Sequence, residues 1–374
     1  MNFDVIIIGA GSMGMAAGYY LAKQNKKVLL IDSNQPPHSE GSHHGDTRLI
    51  RHAYGEGDSY VPMALRAQEL WYELEELSGE ELFVKTGVLN IGDPNSSFIK
   101  NVQLSSELYN LSVETLTSSE INRRWPGFDI NSELIGCFER NSGVLMSDRI
   151  VQVYRDLALN AGATLLTSSR VEAIESSQGS VNVRADGETY TSEQLIVTAG
   201  KGTNQILSLL DKKLPLQPVR KTFSWFTSDE VVYGEDKFPG WAYDAHGHTF
   251  YGFPSVEGEG LKIGRHDGGR ALPDPTQLKP FGSYSEDEQE VSDQASRIFS
   301  QLTPHREGKV CTYTNTPDGD FIIDHLPTHP NITVACGFSG HGFKFASVIG
   351  EILVDLSLKG KTEIDLSPFT MDRF

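Results

Sequence analysis

The chain has 374 residues, of which 38% are hydrophobic and 22% charged, the balance of an ordinary globular protein. That length exceeds what a single growing core accommodates, so two closely joined domains are expected. A net charge of −18 argues against nucleic acid as a partner, because a phosphate backbone demands a basic face, and no apolar run reaches membrane-spanning length. The three cysteines, Cys137, Cys311 and Cys336, are odd in number and lack C-x-x-C spacing, which speaks against a disulfide framework or a structural zinc site. The first apolar run begins within a few residues of Met1, leaving no room for a signal peptide, so a cytoplasmic location is expected.

The opening stretch organises the rest. Asp4-Val5-Ile6-Ile7-Ile8 is an apolar run of strand length, followed at once by Gly9-Ala10-Gly11-Ser12-Met13-Gly14, a helical pattern to Lys23, and a second apolar run, Val28 to Ile31, ending in Asp32. This is G-x-G-x-x-G in the context of a dinucleotide-binding βαβ unit. Gly9 permits the tight turn, Gly11 lets the backbone approach a pyrophosphate, Gly14 lets helix and strand pack closely, and Asp32 is placed to accept hydrogen bonds from a ribose. Nicotinamide and flavin enzymes share this fingerprint, so the motif alone leaves both open.

Gln35 to Gly57 reads as a long polar loop with two arginines, four histidines and few flexible repeats, which marks it as functional. Helices are expected over Tyr60–Leu77, Phe98–Tyr109 and Ser118–Arg124, with a strand over Val84–Ile91. A helix from Asp148 to Gly162 leads to strands at 164–166, 171–174, 181–185 and 190–197, the last entering a second glycine-bearing turn, Thr198 to Asn204. Residues 216–263 are rich in β-branched and aromatic side chains and predict an antiparallel sheet. An acidic surface helix over Ser285–Leu302, strands at 311–314, 321–323 and 332–335, and a closing helix behind Gly337-Phe338-Ser339-Gly340-His341-Gly342 complete the chain. The expected fold is α/β (α+β): a Rossmann-like nucleotide domain from residues 1–80, 145–215 and 320–374, and an antiparallel-sheet substrate domain from 81–144 and 216–319.

Four places hold candidate chemistry. Arg48 and Arg51 could grip a flavin edge and a substrate carboxylate through bidentate guanidinium bonds, or simply form loop salt bridges; a metal site of His43, His44 and Asp46 is disfavoured because adjacent histidines rarely point the same way. Lys262, flanked by Leu261 and Ile263 in a strand, faces either solvent or a cofactor, and the pattern favours solvent. Cys311, taken alone, reads as a buried apolar residue. Lys344, behind a glycine-rich loop, either reinforces an anion site at the helix start or lies on the surface.

Together, Gly41-Ser42-His43-His44-Gly45-Asp46-Thr47-Arg48, Arg51-His52-Ala53-Tyr54-Gly55-Glu56-Gly57, Tyr251-Gly252-Phe253-Pro254, Leu261-Lys262-Ile263-Gly264, Phe321-Ile322-Ile323-Asp324 and Gly337 through Phe345 resemble the monomeric sarcosine oxidase and N-methyltryptophan oxidase family, from the first strand to Leu366-Ser367-Pro368-Phe369. The resemblance implies FAD held through a thioether to Cys311, Lys262 beside the flavin where oxygen is activated, and Arg51 and Lys344 clamping a substrate carboxylate. It further implies that His44, Thr47 and Arg48 line the flavin together with Gly340, Gly342 and Lys344, and that Tyr251, His266 and His341 lie near the substrate, Arg48, Tyr251 and His266 joining Lys262 in the catalytic group. The implied partners are an N-methyl amino acid and O2, the implied state is a monomer, and no metal is needed. Gly264 through Gly269, Leu216 through Lys221 and Ser367 through Phe374 lean towards N-methyl-L-tryptophan as substrate, giving L-tryptophan, formaldehyde and hydrogen peroxide. Sarcosine is the alternative substrate, and an NAD(P)-dependent dehydrogenase the more distant alternative.

Overall fold

The computed structural model describes every residue except Gln178, Leu302 and Thr303. Strand Asn2–Ile8 lies at the centre of an eight-stranded sheet, paired in parallel with Val28–Ile31 on one side and Glu188–Val197 on the other. Its unbroken apolar run follows from that position. Val5 and Ile7 pack towards helices Ser12–Lys23 and Ala346–Lys359, while Ile6 and Ile8 pack into a second core with Val183 and Leu195 on the opposite face. A strand buried on both faces has no use for alternation.

The glycines after this strand are required by space as well as by the turn. Gly9 has φ +96°, and a Cβ at Gly14 would lie 2.0 Å from the Gly9 carbonyl oxygen. Strands His329–Cys336 and Ile322–Leu326 extend the same sheet beside Glu188–Val197, so the end of the chain returns to its beginning.

A second sheet of nine strands is built from residues 88–139 and 217–315. Its order runs Arg270–Ala271, Gln217–Phe226, Leu261–Arg265, His248–Phe253, Gly240–Ala245, Val88–Gly92, Ile135–Glu139 and Val113–Thr117, with His305–Asn315 pairing along Gln217–Phe226. All of its pairings are antiparallel except that of Gly240–Ala245 with Val88–Gly92. Helix Glu286–Ile298 packs its apolar side on this sheet and is locked by Arg220, whose guanidinium grips Asp287 at 2.6 and 2.7 Å with both groups buried. It is therefore half core and not only surface; Leu302, where the sequence reading ended it, lies outside the described residues.

Two further expectations are corrected. The segment read as loop from Gln35 to Gly57 contains strand Thr47–Ile50, which pairs with Gly143–Met146 in a small third sheet. Four residues are too few to show a period, and the partner lies far along the chain. The single strand read over Val84–Ile91 is two strands, Phe83–Val84 and Val88–Gly92, in different sheets, parted by a turn at Gly87 with φ +70°. The strands over 113–117, 135–139 and 143–146 carry no expectation from the sequence at all. Helix Ser118–Arg124 forms as expected, opened by a capping box between Thr117 and Glu120.

One buried contact ties the second sheet to the loop that follows Arg51. Glu139, 2% exposed, accepts hydrogen bonds from the backbone N–H of His52 (3.0 and 3.1 Å) and Ala53 (3.1 Å), and pairs with His52 Nδ1 at 2.5 Å. Burial alone would raise its pKa, but His52 and these N–H groups outweigh that and hold it below the usual carboxylate range. A depressed folded-state pKa means that this contribution is full above the unfolded carboxyl pKa and is lost as pH falls through the folded value. Glu139→Ala leaves two buried N–H groups unpaired and the His52 Nδ1 with only the Ser142 hydroxyl at 3.3 Å. It is expected to cost about 3 kcal/mol or more, with Glu139→Gln costing less, as read from urea unfolding at pH 7.

Candidate functional site

Between the first and second sheets runs a cavity of about 1010 Å³. At one end it is lined by Gly9, Gly11, Asp32 and the turn Thr198–Gly202. A Cβ on Gly11 would meet nothing nearer than His43 Nδ1 at 3.6 Å, so the backbone there stands open to a ligand, whereas Gly14 is a packing residue away from the cavity wall. Asp32 is fixed by the N–H groups of Ala10 at 2.7 Å and Asn34 at 2.8 Å, one on each oxygen, which leaves further lone pairs for ribose hydroxyls. Thr312 and Thr314 line the same space, and among the described residues their buried hydroxyl oxygens have no partner. Orphaned donors beside an open glycine turn and an oriented acid are what a bound FAD would satisfy, so the residues present fit that group.

Arg48 closes the loop over this end, donating to the carbonyls of Ser42, His44 and Thr47 at 2.7 Å each. Burial is the main cause that lowers His43 to a pKa of about 3 and His44 to about 4, so both rings are neutral near pH 7. The two rings do diverge: His43 Nε2 accepts from the His38 N–H, while His44 leans on Phe223.

Cys311 is buried among Phe223, Trp225 and Tyr313 and lines the cavity. Burial raises its thiol pKa, opposed by the nearby Arg48, Lys221 and Lys262. Lys262 does not face solvent, which corrects the expectation from alternation: it is 2% exposed, and its ammonium donates to the Gly45 carbonyl and to both oxygens of Thr47, at 3.0 and 3.2 Å. Three acceptors match the three donors of the charged form. Against them, burial first and Arg48 second hold the pKa well below 10.5. The rings of Phe223, Trp225 and Phe253 surround the same ammonium at 4.7 to 5.3 Å. Lys262, Thr47 and His44 stand just behind the cavity wall, while Arg48, Arg51, Tyr251, His266, Cys311, Gly340, His341, Gly342 and Lys344 form part of it.

Lys344 is buried, not on the surface. Its Nζ donates to the Tyr54 hydroxyl at 2.9 Å and to the His341 carbonyl at 2.7 Å, and burial followed by Arg51 lowers its pKa to about 7. Tyr54 also meets His341 Nδ1 at 2.9 Å and carries the Arg51 guanidinium 4.8 Å above its ring. Arg51 is gripped by Glu56 at 2.6 and 2.8 Å through one nitrogen, leaving Nη1 buried with no partner among the described residues. Burial works to raise the Glu56 pKa, yet Arg51, His341, Lys344 and His266 pull it down to about 2. A carboxylate therefore already rests on the arginine expected to bind one.

His266 and Tyr251 occupy the wall nearest Tyr313. Burial lowers His266 to about 4 and raises Tyr251 to about 12, so both are neutral hydrogen-bonding groups near pH 7. Three residues that the sequence reading gave no role shape this region. Tyr54 and Glu56 sit within a recognised motif but betray nothing by type or spacing. Lys221, opposite Cys311 in strand register, holds the carbonyls of His266, Asp267 and Gly268. Its only sequence signal is a lysine beside Arg220 in a strand that turns aromatic at Phe223, Trp225 and Phe226.

A family model described as FAD dependent oxidoreductase matches residues 4–356. Monomeric sarcosine oxidase of Bacillus sp. (strain B-0618) is 47% identical over 375 residues, covering 100% of this chain and 96% of that protein. N-methyl-L-tryptophan oxidase of Citrobacter koseri is 43% identical over 376 residues and 100% of both chains. Among solved structures, NikD, an amino acid oxidase of nikkomycin biosynthesis, superposes with a TM-score of 0.88 at 21% identity, covering 99% of this chain and 97% of that one. Glycine oxidase from Geobacillus kaustophilus gives 0.84 at 19% identity, covering 100% and 99%. The last two likenesses speak for the fold alone. The family match sets aside the nicotinamide-dependent dehydrogenase, the more distant alternative left open by the glycine fingerprint. The chain belongs to the FAD-dependent oxidoreductases, within the family of monomeric sarcosine oxidase and N-methyltryptophan oxidase.

Proposed function

We propose that this protein is an N-methyl-L-amino-acid oxidase that acts as a monomer in the cytoplasm, carries FAD through a thioether to Cys311, and converts N-methyl-L-tryptophan, O2 and water to L-tryptophan, formaldehyde and hydrogen peroxide. The observation that carries this reading is the convergence of Arg51 and Lys344 on the cavity that also receives Cys311 and the glycine turn. The division into an FAD-binding part (residues 1–80, 145–215 and 320–374) and a substrate part (81–144 and 216–319) accords with the make-up of the two large sheets. When bound, FAD supplies the acceptor for a hydride equivalent from the carbon next to nitrogen and passes the electrons to O2.

The chain's own groups supply position and charge. Arg51 and Lys344 hold the substrate carboxylate, which fixes the rest of the molecule in one orientation. Cations around the amine lower its pKa and favour the uncharged form needed for oxidation. Tyr251, His266 and His341, all neutral near pH 7, offer hydrogen bonds without adding charge. Lys262 presents a preorganised cation where negative charge develops on oxygen. Sarcosine oxidation is the second reading, favoured by the 47% identity to a sarcosine oxidase. The ratio of kcat/KM for N-methyl-L-tryptophan and sarcosine decides between them, and a preference for sarcosine overturns the first.

Three outcomes are expected. In Cys311→Ser the yellow colour should leave the protein on acid precipitation, whereas the native protein keeps it; colour retained by the variant refutes the linkage. Lys262→Met should slow oxygen consumption by the reduced enzyme roughly 100-fold while anaerobic reduction by substrate changes far less, as measured by stopped flow. Lys344 bears charge below its pKa of about 7 and none above it. Acetate affinity, measured by calorimetry, should therefore be nearly flat between about pH 5.5 and 6, where the ligand itself stays ionised, and weaken by up to about tenfold per unit as pH rises beyond 7, a dependence that Lys344→Met abolishes.

A further inference from the structure

Four carboxylates line the cavity: Asp32, Glu40, Glu56 and Asp244. Asp32 is met by two backbone N–H groups, Glu40 by Lys201 at 3.0 Å and Glu56 by Arg51. Asp244 stands apart. Among the described residues the one hydrogen bond to its carboxylate is from the Thr249 hydroxyl to Oδ1 at 2.8 Å, and no cation pairs with it.

Its direction follows from the sheet. Asp244 and Ala242 alternate with Tyr243, which packs into the core beneath, so the first two share the cavity face. Register places Asp244 beside Thr249 and Ala242 beside Tyr251, while Lys262 lies opposite Phe253. Thr249 is itself fixed, its N–H donating to Asp267 at 2.7 Å. With a rise of about 3.4 Å per residue, Thr249 lies about 7 Å beyond Tyr251 and about 14 Å beyond Phe253, on the side away from Lys262. The cavity wall thus carries the cations Arg51 and Lys344, each resting on Tyr54, and, from the second sheet, an acid without a counter-charge.

Resting on the oxidase reading above, we propose that Asp244, steadied by Thr249, is the specificity-determining acceptor for the substrate's side chain, so that the cavity selects N-methyl-L-amino acids whose side chain ends in a hydrogen-bond donor. An indole N–H and an ammonium share that chemistry. A purely apolar side chain would desolvate the carboxylate without replacing its bonds to water, and a site built to accept a donor rejects analogues that lack one far more strongly than it rejects a change of size.

The test needs no turnover at first. Calorimetry on the native flavin-loaded protein compares indole-3-acetate with 1-naphthylacetate, a bicycle of similar size without the N–H. Indole-3-acetate should bind about tenfold more tightly, and Asp244→Ala should erase the difference. Should Asp244→Ala fail to fold, the near-isosteric Asp244→Asn serves with the native comparison. It keeps an acceptor for indole but removes the charge, so kcat/KM for Nα-methyl-L-lysine should fall by about tenfold while that for N-methyl-L-tryptophan falls less. The ratio of kcat/KM for N-methyl-L-tryptophan over N-methyl-L-phenylalanine should drop about tenfold from native to Asp244→Ala. Equal affinity of the native protein for the two acetates, or an unchanged ratio in the variant, overturns the proposal while leaving the oxidase reading standing. Absence of peroxide with every N-methyl amino acid overturns both.

Discussion

Positive charge held away from water is the constraint around which the site is built. Lys221, Lys262, Lys344 and Arg51 are all buried, and none is allowed to stay bare. Each lysine points its ammonium at backbone carbonyls or hydroxyls, and the arginine takes a carboxylate. An unsolvated cation costs several kcal/mol unless oxygen acceptors replace its hydration, so the loops carrying those acceptors must be shaped as tightly as any core. The segment Gly45–Thr47, the strap His266–Gly268 and the turn at His341 thereby become parts of the electrostatics as much as of the fold. The same burial leaves the lysines primed to respond to a new anion, since their charged form gains most when one arrives.

The supports run deeper than the residues that meet the ligand. Arg51 and Tyr54 flank a dipeptide whose backbone is hung on Glu139, a residue of a different sheet. Lys221 crosses beneath Cys311 to hold the segment that carries His266. Geometry at the cavity is thus fixed from behind by buried polar contacts, and those contacts are satisfied almost entirely by backbone groups, which do not wander as side chains do.

Much of the nucleotide end could be read directly from the chain, because its signals are local: an apolar run, three glycines at fixed spacing and an acid one strand later. The burial of Lys262 could not, since period-two alternation separates two faces without saying which of them is dry. Residue type and position leave Arg51 and Lys344 each with two readings, between which the likeness to known oxidases chooses, and their burial is a tertiary fact that residue type does not reveal. Strand Thr47–Ile50 escaped for a related reason: its partner is distant, and four residues carry no rhythm of their own. The acid on Arg51 was invisible because nothing in Tyr54-Gly55-Glu56 tells which way the glutamate turns.

That glutamate has a kinetic meaning. Because Glu56 is tethered five residues from Arg51, it revisits the guanidinium at an effective concentration on the order of millimolar or more. On the proposed reading, passing anions that engage the arginine alone are at a disadvantage, and occupancy favours a molecule able to recruit Lys344 at the same time. An internal competitor of this kind trades raw affinity for discrimination and for ready departure of the product, which bears the same carboxylate as the substrate.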